Sequence, residues 1–109
     1  MFTPTIRFRA ARPAMDVSAW GMNVIEFDAD TEGYPEHNHE QDGQQEVYLV
    51  LNGSIVLMVA GAETILKQGD MVQVPPAIDR KFITRVHSAT LLAIGGTAGK
   101  AYTPDPRIG

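Results

Sequence analysis

A chain of 109 residues is the size of one small domain, and 44% hydrophobic residues are enough to bury a core. A formal net charge of −4, with the few lysines and arginines scattered, argues against nucleic acid, which favours a basic face. The absence of cysteine excludes disulfides, thiolate catalysis and cysteine-ligated zinc.

No segment approaches the roughly 20 apolar residues of a membrane helix. Residues 1–7 carry no apolar stretch of signal-peptide length. The expected setting is therefore the cytoplasm, without a membrane partner.

Along the chain, apolar residues alternate in twos more than they recur in threes and fours. Residues 6–9 and 20–28 read as strands on that ground. Residues 46–51 are rich in β-formers and stop at Asn52-Gly53, a dipeptide that tolerates positive φ and predicts a hairpin turn. Residues 54–59 are then its return strand. Gly61-Ala62 predicts another tight turn, followed by a short strand at 63–66. Gly69-Asp70 turns the chain into 71–74, which ends at Pro75-Pro76. Residues 81–84 and 89–94 are the last strands, and the tail from Thr97, with Pro104 and Pro106, is expected to be irregular. No stretch makes an amphipathic helix, although residues 11–19 have room for a turn. Eight or so short strands at this spacing predict an all-β sandwich or small barrel. Trp20, Met22 and Phe82 are expected in its core.

The chemistry concentrates in Tyr34-Pro35-Glu36-His37-Asn38-His39. In an extended strand His37 and His39 project from one face, and two neutral imidazoles there suit a divalent transition ion. A third ligand must come from a neighbouring strand. Glu46 is the candidate, because it opens an apolar strand in which an unpartnered carboxylate is costly. Tyr48 shares the face of Glu46. Gln73 lies in an apolar strand and is a candidate for a pocket-facing polar role, whereas Asp42, Gln44 and Gln45 read as solvated loop.

The order Gly33, His37, His39, Glu46, Gly53 resembles the first cupin motif, which is Gly, five residues, His-x-His, three or four residues, Glu, six residues, Gly. The six-residue gap from Glu46 to Gly53 is met. Gly69 and Pro75, with Ala77 and Arg80, resemble the second motif, in which glycine and histidine stand at those last two places. The likeness spans about residues 20–95. Three departures stand out. Only three residues separate Gly33 from His37, six separate His39 from Glu46, and Arg80 takes the place of the closing histidine.

The resemblance implies a jelly-roll β-barrel over a single domain, 1–109, with a metal inside and commonly a homodimer. The family holds isomerases, dioxygenases, other enzymes and non-catalytic binders, so it implies no single function. Two readings follow for the site. In one, His37, His39 and Glu46 hold Fe, Mn, Zn, Ni or Co with open positions for ligand, and Arg80, Tyr48 and Gln73 meet a small polar or anionic metabolite. In the other, Arg80 pairs with Glu46 and replaces the metal, leaving a binding pocket without turnover or a vestigial site.

Overall fold

The computed structural model describes residues 3–103, so Pro104 and Pro106 lie outside the described residues. The elements run β1 (Ile6–Ala10), α1 (Ala11–Ala14), β2 (Gly21–Phe27), β3 (Gln45–Val59), β4 (Ala62–Lys67), β5 (Met71–Val74), β6 (Lys81–Ile83) and β7 (Ala89–Gly96). All pairings are antiparallel. The order is β1-β2-β7-β3-β4, with β5 and β6 also paired to β3. The all-β expectation holds, and α1 is the single turn that residues 11–19 allowed. Among the described residues no helix is long and apolar enough to cross a membrane.

The predicted hairpin at Asn52-Gly53 is corrected. β3 runs through these residues as one 15-residue strand. Its pairing with β7 slips between Val50 and Asn52, the mark of a bulge. Gly53 has φ +81°, and a Cβ there would stand 2.1 Å from the carbonyl oxygen of Ser88. The positive φ thus bends the strand without reversing it. Before the bend β3 pairs with β5 and β7, and after it with β4 and β6. The real reversal into β4 comes at Ala60-Gly61, both at positive φ as a two-residue hairpin turn requires.

The bend wraps the sheet around a core that includes Ile25, Phe27, Tyr48, Val50, Phe82 and Leu91. Phe82 is fully buried and meets Tyr48 edge-on at 4.7 Å and Tyr34 at 5.3 Å. Truncating such a ring costs about 3–5 kcal/mol. Alternation along β3 turns Glu46, Tyr48 and Val50 inward and leaves Val47 and Leu51 exposed. Trp20, expected in the core, is 42% exposed, because it precedes the first inward position of β2. Met22 is half-buried on the outer face, registered with Ile94.

Candidate metal site

His37 and His39 do not lie in a regular strand as expected. Their segment is pinned to residues 76–80 by three backbone hydrogen bonds. The His37 amide donates to the Arg80 carbonyl (3.2 Å), the Arg80 amide returns to His37 (2.9 Å), and the His39 amide donates to Pro76 (2.7 Å). This isolated bridge keeps the segment extended enough for both rings to turn inward, 5.1 Å apart and nearly perpendicular. Glu46 arrives from β3 on the facing wall, held in register with Gly95 and Val74. All three side chains are buried. Nε2 of His39 lies 3.3 Å, and Nε2 of His37 3.7 Å, from Oε1 of Glu46.

The hydrogen bonds on the far side of each ring fix which nitrogen faces inward. Nδ1 of His37 is 2.9 Å from the carbonyl oxygen of Pro35, which can only accept, so Nδ1 carries the hydrogen. In the neutral ring the Nε2 lone pair therefore points at Glu46, and no hydrogen-bond partner meets this buried atom. Nδ1 of His39 lies 3.1 and 3.2 Å from the two oxygens of Asp42, which orients that ring in the same sense. A carboxylate or carbonyl behind each imidazole is the usual support of a metal-bound histidine. The three donors lie within 4.8 Å of one another. Atoms sharing one ion at bonds of about 2.1 Å stand roughly 3–4 Å apart, so the set fits a divalent transition ion.

Electrostatics favour a carboxylate at Glu46. Burial is the largest single influence on Glu46 and pushes its carboxyl up. The close imidazoles of His37 and His39 and the Tyr48 hydroxyl outweigh it and hold the group ionised, well below the ordinary carboxylate range. Burial pulls His39 down, but Glu46 and Asp42 together leave it raised. Burial, above all, pushes the Tyr48 phenol up, so it remains a donor, 2.5 Å from Glu46 Oε1.

Arg80 points inward and is fully buried. Its Nε donates to the carbonyl of Ile78 (3.0 Å) and Nη2 to that of Pro75 (2.8 Å), while Nη1 donates to Glu46 Oε1 and reaches the Tyr48 oxygen at 3.4 Å. Thus Arg80 and Tyr48 join the cluster, but both grip Glu46 instead of facing a ligand. Gln73 is not brought to the site. It is exposed, registered with outward-facing Val47, because inward positions of β5 fall on Val72 and Val74. Asp42 and Gln44 are functional candidates that the loop composition concealed. Gln44 is only 5% exposed and its side-chain amide donates to Asp42 at 3.3 Å. The signal available was the need of His39 for an acceptor behind its ring, with Asp42 three residues away.

The cupin-domain family profile matches residues 23–94. The chain belongs to the cupin family. A search of curated proteins found no match. Among solved structures, the cupin resembles a sugar phosphate isomerase from Silicibacter pomeroyi DSS-3, with 24% identity and a TM-score of 0.76 over 91% of this chain and 60% of that one. A cupin protein from Bacteroides fragilis gives 17% identity and a TM-score of 0.76, over 96% and 88% of the two chains. A putative sugar phosphate isomerase from Acidithiobacillus ferrooxidans gives 20% identity and a TM-score of 0.69, over 83% and 58%. At these identities the likeness establishes the cupin fold. The chain spans about three-fifths of the length of the two isomerase structures.

Proposed function

We propose that this cupin holds one divalent transition ion through His37, His39 and Glu46 and presents it to a small polar or anionic molecule. One observation carries the reading. Both imidazoles are fixed from behind, by Pro35 and Asp42, so that their inner nitrogens converge on one carboxylate oxygen. A bound ion would supply Lewis acidity toward a ligand oxygen. The protein's own groups do the rest: Asp42 holds the His39 ring, and Tyr48 and Arg80 hold the Glu46 carboxylate.

The solved structures described as sugar phosphate isomerases make isomerisation of a small hydroxylated metabolite the first activity to assay, with metal-dependent oxygenation second. Titration with Co2+ tests the metal claim. One equivalent per chain with visible absorption is expected, and its loss in His37→Ala/His39→Ala; silent titration in the native chain contradicts it.

A second reading has its own support. Arg80 already gives Glu46 a counter-charge, and a cupin closed in this way is a binding module without turnover. Substrate conversion by the metal-loaded protein would rule it out; ligand-induced stabilisation without product would favour it. We also propose one domain over residues 1–109, a cytoplasmic location and a homodimer. Half-buried Val24, Leu92 and Leu49 register with exposed Met71 as an apolar row on the outer sheet face. Light scattering on the eluting protein tests the dimer.

A further inference from the structure

Beside His39 and Glu46 lies a cavity of about 20 Å³, also bounded by Gly21, Gly95, Gln44 and Tyr102. That volume admits roughly one water and no metabolite. Its small size has a specific origin. The chain beyond β7 folds back over the opening and lays the Tyr102 ring on Gly21. A Cβ at Gly21 would lie 2.5–2.6 Å from the ring's outer atoms.

Side-chain contacts hold this segment down. The Thr97 hydroxyl donates to the Asp42 carbonyl at 2.9 Å, and the Gln44 side-chain amide donates to the Thr103 carbonyl at 3.3 Å. The Arg12 guanidinium sits 5.5 Å from the Tyr102 ring centre. Residues 97–103 join no strand among the described residues. Side-chain contacts of this kind open locally more readily than a sheet ladder. Two of the anchors, Asp42 and Gln44, belong to the network behind His39.

We propose that residues 97–103 are a strap across the entrance to the cluster, with Tyr102 as its plug. A ligand larger than water reaches His39 and Glu46 only when the plug is displaced. Tyr102 is thereby the residue that decides what size of molecule enters. The proposal rests on the metal reading for its use, but its geometry stands without an ion.

Diethyl pyrocarbonate tests it, because this reagent acylates imidazoles and His39 lines the cavity. The full-length, metal-stripped protein is treated and the modified residues are assigned by mass spectrometry, with exposed His87 as the internal reference. His39 is expected to react at least ten-fold faster, relative to His87, in Tyr102→Ala and in Gly21→Ala than in the native chain. Tyr102→Phe should keep the native protection, since the ring remains. Should Gly21→Ala fail to fold, the two Tyr102 variants carry the comparison. Native-like protection in Tyr102→Ala would overturn the strap. A parallel measurement of Co2+ removal by a chelator separates the two claims. No Co2+ uptake with the His39 contrast intact sinks the metal reading and keeps the strap. Uptake with equal removal rates and equal acylation does the reverse.

Discussion

Arg80 and Glu46 form a buried ion pair on the same carboxylate oxygen that faces His37 and His39. The guanidinium therefore occupies one side of the cluster, and a metal must share Glu46 with it. Removing Arg80 has opposite effects on two properties. Arg80→Ala leaves a buried carboxylate short of its partner and should destabilise the metal-free chain by about 3–5 kcal/mol in urea unfolding. Arg80→His adds a third imidazole and removes a fixed positive charge, so Co2+ affinity should rise about ten-fold or more by calorimetry. Unchanged affinity would show that Arg80 does not oppose the ion.

Asp42 fixes the His39 ring from behind without reaching Glu46. Asp42→Ala is expected to weaken metal binding about 10–100-fold, the usual effect of losing such support. The equilibrium titration that checks this should show the stoichiometry unchanged.

Gly53 carries the bend in β3. Gly53→Ala meets both a positive φ and the Ser88 carbonyl, which is backbone and cannot swing aside. The conformation alone is expected to cost about 1–3 kcal/mol, with the Ser88 clash adding to it, read as a lower urea midpoint. An Asn52→Ala change, at a residue without that clash, is the comparison. Equal midpoints for the two variants would remove the bend from the account.

Acid stability reports the β1 edge. Hydrogen bonding from Arg7, then from the Thr5 amide, holds Asp28 below its ordinary value, and Arg9 chiefly does the same for Glu26. A carboxylate depressed on folding binds its proton less well in the native than in the unfolded state. Its contribution is thus fully present above roughly pH 4 and lost as pH falls through the lower folded value. Asp28→Asn should flatten the dependence of stability on pH in that acid window and leave its shape near neutrality unchanged. Urea midpoints across the range give the comparison.

Period-two alternation made the strands legible, and the two motifs made His37, His39 and Glu46 legible as a group. What the sequence hid has physical causes. Asn52-Gly53 permits positive φ, but a bulge and a hairpin ask for the same permission, and only the pairing with β7 separates them. Gln73 looked inward because its neighbours are apolar, yet both faces of β5 are apolar, with Val72 and Val74 inside and Met71 outside. Asp42 and Gln44 looked like solvated loop because composition does not reveal that a loop packs behind an imidazole. The tail over Gly21 left no trace, since a glycine making room for a ring reads like any other glycine at a strand start.

Elemental analysis of untagged protein, purified without chelators, tests the central claim most directly. About one transition ion is expected per native chain, and none in His37→Ala/His39→Ala. A native chain without metal, taking up none when Fe, Mn, Zn, Ni and Co salts are supplied, would contradict it and leave Arg80 as the cation that closes this barrel.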